Sequence, residues 1–322
     1  MRVFVTGGTG YLGSHVVKQL LTAGYEVRML ARNPQKAKAG EGVEVVKGDL
    51  VDASTYSDKL EGCQFAIHMA AHVTKWPPDG EQFDRVNVEG TKAFIEAAQK
   101  AGCEKIIYTS TFMAIGPSGD KTADETHFLE RKSFINGYER TKTAAYLEVE
   151  EMIANGAPIV VLMPAVMIGP GPDTPGNYLL QFLRDFKGKK LPGLIGSGET
   201  KLTLVHVRDV ARAHVEALKK AETGAKYLLG GEIVTLNELC SILEKLTGVA
   251  APKRRIGFGV SKMMAAMVEL PSYITGGPPM LTRHEVEVFK RNWAYSSDKA
   301  VKELSYEITP LEEALKEALK AL

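Results

Sequence analysis

The sequence predicts an α/β protein built on a doubly wound parallel sheet, with a smaller, mostly helical second lobe. Three observations lead there. Short apolar runs rich in Val, Ile and Phe recur through the first half of the chain. Longer segments with helical periodicity separate them, and strand–helix alternation of this kind builds parallel sheets with helices on both faces. A glycine-rich turn joins the first run to the first helix.

In chain order, the predicted strands are Arg2–Thr6, Glu26–Ala31, Val43–Lys47, 65–69, 105–110 and 159–163, each short and nearly continuous in apolar residues, as strands buried on both faces are. Helical patterns fill 11–23, 81–101 and 138–155. After Pro164 the texture changes: Gly and Pro crowd 169–176 and 191–198. A strand at 202–207 then leads into a helix at 208–221, 226–229 reads as a further strand, and four more helical segments follow, the last around 310–322. The predicted division is 1–165 for the sheet domain, with strands near 202–229 returning to it, and 166–322 for an interleaved substrate-binding lobe.

At 322 residues the chain can bury a large core. Its formal charge is +1, with Lys and Arg spread along the sequence, so neither nucleic acid nor an anionic membrane is expected as the main partner. The three cysteines, Cys63, Cys103 and Cys240, are odd in number and far apart, and the seven histidines show no H-x-x-x-H spacing. A disulfide framework or a metal site is therefore not expected, and a reducing, cytoplasmic location is. No signal peptide precedes the first strand, and the longest apolar stretch, 256–270, is too short for a membrane span and carries Lys262 and Glu269.

The turn TGGTGYLG at 6–13 places Gly7, Gly10 and Gly13 in G-x-x-G-x-x-G spacing between a buried strand and a helix. Such a turn brings backbone N–H groups and a helix N-terminus against phosphate, which makes the sheet Rossmann-type and Gly7, Thr9, Gly10, Tyr11, Leu12 and Gly13 candidate contacts of a dinucleotide. The second strand ends in Arg32, with Arg28 earlier on it. A guanidinium there pairs with a 2′-phosphate, where an acidic residue would hold the ribose hydroxyls of NAD, so the residues favour NADP over NAD without excluding NAD. Asp49, after the third strand, is positioned to accept from the adenine amine. The HMAA run puts Met69, Ala70 and Ala71 beside the same cofactor.

Chemistry enters with YERTK at 138–142. Tyr138 and Lys142 are four residues apart and share a helical face, so an ammonium lies near a phenol whose acidity must be raised for work at neutral pH. The strand at 105–110 runs into Thr109, Ser110 and Thr111 at the carboxyl edge of the sheet, where a hydroxyl can hold a substrate oxygen. Asn87 sits inside a helical pattern that it disfavours. It is read as holding a water, bracing the backbone near Lys142, or marking a kink.

At these residues the chain resembles an extended short-chain dehydrogenase/reductase. TGGTGYLG, GDL at 48–50, HMAA at 68–71, NVEGT at 87–91, YTST at 108–111, YERTK and PAVMIGPG at 164–171 stand in that family's order and spacing. The resemblance implies a catalytic set of Thr111, Tyr138 and Lys142, assisted by Asn87, with Leu50, Pro164 and Val166 also contacting the cofactor. Counting back from Gly116 puts the hydroxyl role on Thr111 rather than Ser110. Within the family the chain is most similar to dihydroflavonol reductase-like members of the farnesol dehydrogenase type, through YTSTFMAIG at 108–116, LPGLIGSG at 191–198 and NWAYSSD at 292–298. Farnesol dehydrogenases of this type are thought to use NAD although their second strand ends in Arg. A homodimer through 81–101 and 138–155 is a family expectation.

The departures point to the substrate. Nucleotide-sugar members carry a Gln and an Arg in the segment that here reads GSGETKLTLVHVRDV at 196–210, and an Arg where this chain has Met163. An apolar substrate is therefore expected over a charged sugar nucleotide. Residues 112–136 are expected to form a loop able to close over it. Trp76, Pro77 and Pro78, with Met263, Met264 and Met267, either line an apolar pocket or, for the methionines, belong to the core. Arg283, His284, Glu285 and Arg291 read as a solvated helix face. The expected activity is NAD(P)-dependent alcohol dehydrogenase or carbonyl reductase chemistry on a secondary or allylic alcohol of farnesol-like or flavonoid-like character. The alternatives are a nucleotide-sugar epimerase or dehydratase with tightly bound NAD, and a non-catalytic cofactor sensor, which would have no need of a proton donor.

Overall fold

The computed structural model describes residues 1–37, 40–172, 174 and 177–322, so the glycine–proline run at 169–176 falls partly outside the described residues. The first half of the chain runs β1 (Arg2–Thr6), α1 (Tyr11–Thr22), β2 (Glu26–Ala31), β3 (Val43–Lys47), β4 (Phe65–His68), α2 (Glu81–Asp84), α3 (Gly90–Lys100), β5 (Lys105–Thr109), α4 (Phe112–Ile115), α5 (Gly137–Ala154) and β6 (Ile159–Pro164). The second half adds β7 (Val166–Ile168), α6 (Tyr178–Lys187), β8 (Leu194–Ile195), β9 (Lys201–His206), α7 (Val207–Lys220), β10 (Lys226–Leu229), β11 (Glu232–Thr235), α8 (Leu236–Thr247), β12 (Arg255–Ile256), α9 (Phe258–Thr275), α10 (Arg283–Val288), α11 (Asp298–Leu304) and α12 (Leu311–Lys320).

The central sheet has seven strands in the order β3-β2-β1-β4-β5-β6-β10, every neighbouring pair parallel. Strand order reverses between β1 and β4. Crossover helices leave in opposite directions there, so a crevice opens at the carboxyl ends of those two strands. The pleat sorts side chains to two cores. Phe4, Ile106, Tyr108, Ile159, Val161 and Met163 face α3 and α5 through Phe94, Ile95, Ala145, Tyr146 and Val149. Val3, Val5, Val27, Met29, Ile107, Val160 and Leu162 face α1, α7 and α11 through Val16, Val17, Leu20, Val210, Leu218 and Leu304. Burial of each such side chain stabilises by about 1.5–3 kcal/mol, which holds the helices against the sheet.

The run at 226–229 becomes β10, the seventh strand, beside β6. Two small sheets follow the main one: β9 pairs with β7 in parallel and with β11 in antiparallel fashion, and β8 pairs with β12. Leu204, Trp293 and Tyr295 belong to the same buried cluster as Phe4 and Tyr108, so one core runs from the sheet into the second half.

Three expectations change. The helix expected over 81–101 is α2, a π-helical turn at Arg85–Glu89 and α3, with buried Asn87 in the widened turn. The described residues after β10 contain five helices rather than four, because α10 is a separate short element started by a Thr282–Glu285 capping box. The solvated face expected at 283–285 is a set of fasteners instead: Arg283 pairs with buried Glu269 at 2.6 Å, and Glu285 pairs with Lys75 at 3.0 Å.

Candidate active site

The glycine turn is shaped by close backbone approach. Gly7 has φ +73°, and a Cβ on it would lie 2.6 Å from the Ala70 nitrogen and 2.8 Å from the Met69 carbonyl carbon. A Cβ on Gly13 would overlap the Gly7 carbonyl oxygen. These contacts draw β1, the residues after β4 and the start of α1 together. Gly10 caps α1 without any side-chain hydrogen bond, which leaves the first-turn N–H groups of a twelve-residue helix aimed at the crevice.

The other expected contacts lie on, or follow the ends of, strands of the same parallel sheet and the turn itself. Thr6 and His68 tie β1 to β4 through a 2.7 Å hydrogen bond between the hydroxyl and Nδ1, and Ala70 N–H donates to the same hydroxyl at 3.3 Å. The Thr91 hydroxyl donates to the Asn87 carbonyl at 2.8 Å and lies 3.0 Å from His68 Nε2, so Nε2–H donates to Thr91 and Nδ1 accepts from Thr6. Burial pushes the His68 imidazole down to about 3, so it is neutral, and it stacks between the rings of Phe94 and Tyr108. Thr9 is exposed in the turn, while Tyr11 and Leu12 are buried at the start of α1, the Tyr11 hydroxyl donating to the Gly169 carbonyl at 3.0 Å. Asp49 holds the Val51 N–H at 3.3 Å, Leu50 is buried beside Gly90, and Pro164 and Val166 stand where β6 gives way to β7.

Arg28, on β2, and Arg32, just past its end, differ. Arg28 is occupied: it pairs with Glu44 at 2.8 Å and donates to the carbonyls of Lys59 and Glu61. It braces β2 and lies outside any cofactor role, because its guanidinium is consumed at the far side of the strand. Arg32 is exposed at the carboxyl end of β2, with no hydrogen bond or ion pair among the described residues.

Tyr138 is the second residue of α5, one turn ahead of Lys142. The helix start is held from outside: Asn136 accepts from Glu139 N–H, and Gly137 N–H donates to the Pro78 carbonyl at 2.9 Å. Burial pushes the Tyr138 phenol up to about 12, and the neighbouring Thr111 hydroxyl works against that shift. Thr111 caps α4 and accepts from Met113 N–H at 3.3 Å, which leaves its own hydroxyl proton free to donate. The sequence expected Lys142 to act directly on Tyr138. Its ammonium instead donates to the Thr109 carbonyl at 2.8 Å and the Tyr108 hydroxyl at 3.2 Å, with the Tyr108 ring 4.7 Å away. Burial without a carboxylate partner pushes Lys142 down to about 7. Ser110 lies between these groups, its hydroxyl buried and without a partner.

Asn87 fills the bracing role. Its Oδ1 accepts from His72 N–H at 2.7 Å, and its Nδ2 donates to the His72 carbonyl and to the Thr141 hydroxyl at 3.1 and 3.0 Å. Both amide hydrogens are thereby used by protein acceptors, and the residue fastens the 72 backbone to α5 beside Lys142.

Two features escaped sequence reasoning. Arg131 and Glu139 form a buried pair at 2.6 Å, their side chains 6% and 0% exposed, and Arg131 also donates to the Met113 and Ala114 carbonyls and the Thr143 hydroxyl. This cluster fixes α4, and with it Thr111, against α5. The segment expected to close over substrate is likewise tied down: Ser118 and Ala123 N–H groups donate to the Asn292 and Ala294 carbonyls, and Glu125 accepts from Leu228 N–H. It is built into the protein through NWAY at 292–295. Met263 and Met267 lie outside the core at 59% and 62% exposure and Met264 is half-buried, while Trp76 packs edge-on against Tyr273 at 4.7 Å.

An uncapped helix behind a glycine turn, a free arginine just past the next strand, and a Thr–Tyr–Lys group at the same sheet edge, with Thr111 and Lys142 buried, fit a nicotinamide dinucleotide. The orphaned Ser110 hydroxyl and the unpaired Lys142 ammonium are polar groups a ligand would satisfy. The site is of the dinucleotide-dependent oxidoreductase class. Residues 3–230 match the NAD dependent epimerase/dehydratase family, and the chain belongs to that family. It is an extended short-chain dehydrogenase/reductase of the dihydroflavonol reductase-like kind. A Synechocystis protein provisionally named a dihydroflavonol 4-reductase is 34% identical over 98% of this chain and 93% of its own length. Cinnamoyl-CoA reductase 1 of Oryza sativa subsp. japonica is 31% identical over 76% of this chain and 75% of its own. The crystal structure of gox2253 superposes with a TM-score of 0.84 at 33% identity, covering 99% of this chain and 97% of that one.

Proposed function

We propose that this protein reduces a carbonyl, or oxidises the matching secondary or allylic alcohol, on a small, mainly apolar substrate, with NADP preferred to NAD. The observation that carries this reading is the Tyr138 phenol beside the Thr111 hydroxyl and one turn ahead of Lys142, at the sheet edge that faces the glycine turn. The bound nicotinamide supplies or takes the hydride. Tyr138, kept protonated by burial, gives its proton to the substrate oxygen in reduction and accepts it back in oxidation. Thr111 holds that oxygen while its backbone is fixed by the Arg131 cluster. Lys142 would donate to the ribose hydroxyls of a bound dinucleotide and, charged there, would ease phenolate formation at Tyr138. Gly7, Gly10 and the first turn of α1 hold the pyrophosphate, and Arg32 holds a 2′-phosphate.

Met163 at the end of β6, the absence of an arginine in 196–207, and the names of the reductase relatives support an apolar ketone or thioester over a sugar nucleotide. The family name itself keeps an epimerase reading in view. The two separate by redox balance. Nicotinamide absorbance is followed with farnesol-like alcohols and flavonoid-type ketones, each with NAD(H) and NADP(H). Net turnover with NADPH supports the proposal; retained NAD with interconversion of a nucleotide sugar and no net absorbance change overturns it.

A further inference from the structure

Helix α9 is turned inside out. The face it packs on the protein carries Ser261, Ala265, Glu269 and Ser272, all buried. The face it shows to solvent carries Val260, Met263, Met267, Leu270 and Ile274, at alternating spacings of three and four, with exposures from 48% to 90%. Helices in globular proteins turn such a stripe inward, and contiguous exposed apolar surface marks an interaction site. Tyr273 and Met280 continue the surface at 63% and 69% exposure.

Charge says what covers it. Among the described residues, every carboxylate carried by α9 and α10 is paired. Glu269 is 1% exposed and bound to Arg283, and Glu287 is held by both Lys262 and Lys290 at 3.0 Å, which leaves that cluster with net positive charge. Just before the helix, Lys253 and Arg254 are exposed with no side-chain partner among the described residues, and Arg255 is exposed beside them. A second copy of this chain would bring the same cations and no acidic complement to the seam. An anionic surface with an apolar interior supplies both the negative charge and the apolar phase.

We propose that α9 is a membrane-surface element: it lies in the interface of an anionic bilayer, its Val260–Ile274 stripe in the acyl boundary and Lys253 and Arg254 at the headgroups. No helix of the described residues is long and apolar enough to cross a membrane, so the attachment is peripheral. It does not depend on which substrate the active site takes.

The test is flotation of the full-length protein with phosphatidylcholine vesicles, with and without phosphatidylglycerol. The expected result is binding to the phosphatidylglycerol vesicles that Met267→Glu with Leu270→Glu weakens by about tenfold or more. Lys253→Glu with Arg254→Glu should abolish the preference for anionic vesicles, and salt should weaken the wild-type interaction. These side chains are exposed, so melting temperature and cofactor titration should match wild type in both variants. Wild type that stays in the aqueous phase with both vesicle types overturns the proposal. So does a concentration-dependent dimer, seen by light scattering and lost in the Met267→Glu, Leu270→Glu variant, which would assign the seam to a second copy.

Discussion

Lys142 makes a sharp test of how the site is built, because it is a cation with no anion. It is 3% exposed, and its ammonium reaches only the Thr109 carbonyl and the Tyr108 hydroxyl. Burial lowers it to about 7 in the ligand-free protein, while the unfolded chain returns it to the ordinary lysine value of about 10.4. Between those values the unfolded state binds more protons than the native state, so stability rises with pH. For a cation with a lowered folded-state value, the burial penalty is full below about pH 7 and lifts as pH climbs toward the unfolded value. Lys142→Met keeps the apolar stem and removes the titration. The wild type should therefore gain about 2–3 kcal/mol on the variant between about pH 6.5 and about pH 9. The hydrogen bonds lost in the variant add a roughly constant offset of about 1–3 kcal/mol, which cancels in that difference. Urea unfolding of the ligand-free proteins across this range reads the gap directly. A gap that does not change with pH would refute the reasoning, since Lys142 would then hold its proton as an exposed lysine does.

Gly7→Ala forces a Cβ into the Ala70 and Met69 backbone at positive φ, and should cost about 2–4 kcal/mol while abolishing dinucleotide binding, seen by thermal melting and by cofactor titration. Arg131→Met leaves the Glu139 carboxylate buried with backbone donors only. A loss of about 3–5 kcal/mol is expected, as denaturant unfolding would show. Arg32→Glu should raise the KM for NADPH about tenfold or more and leave that for NADH unchanged or lower, in steady-state assays with each cofactor. Equal effects on both cofactors would remove Arg32 from the 2′-phosphate.

The parallel sheet was legible because its strands are short runs rich in Val, Ile and Phe between turn residues. Glu26–Ala31 and Val43–Lys47 have the expected bounds, and β5 and β6 differ from expectation by one residue at their ends. The glycine turn was legible because its constraint is local: Gly7 and Gly13 meet backbone brought in by the turn itself and by the neighbouring strand. The π-helical turn at Arg85–Glu89 left a trace in Asn87, a poor helix former whose amide is spent on His72 and Thr141.

What stayed hidden depends on partners distant in sequence. Arg28 and Arg32 look alike on and just past one strand, and Glu44 and the carbonyls at 59 and 61 separate them. Tyr138 and Lys142 were legible as a helical pair, but Tyr108, on a strand 34 residues earlier than Lys142, takes the ammonium. Residues 112–136 looked like a mobile cover because nothing local revealed their hydrogen bonds to 292–296. The even spread of charge along the chain concealed the exposed cations at 253–255 beside an outward apolar helix.

The most direct test is nicotinamide oxidation by the wild type and Tyr138→Phe with an apolar carbonyl substrate, paired with a cofactor-binding titration of each. Wild-type turnover is expected, and loss of the phenol should lower kcat by about 100- to 10,000-fold while cofactor affinity holds, since Tyr138 moves a proton. Undiminished turnover in Tyr138→Phe would contradict its role as the proton donor.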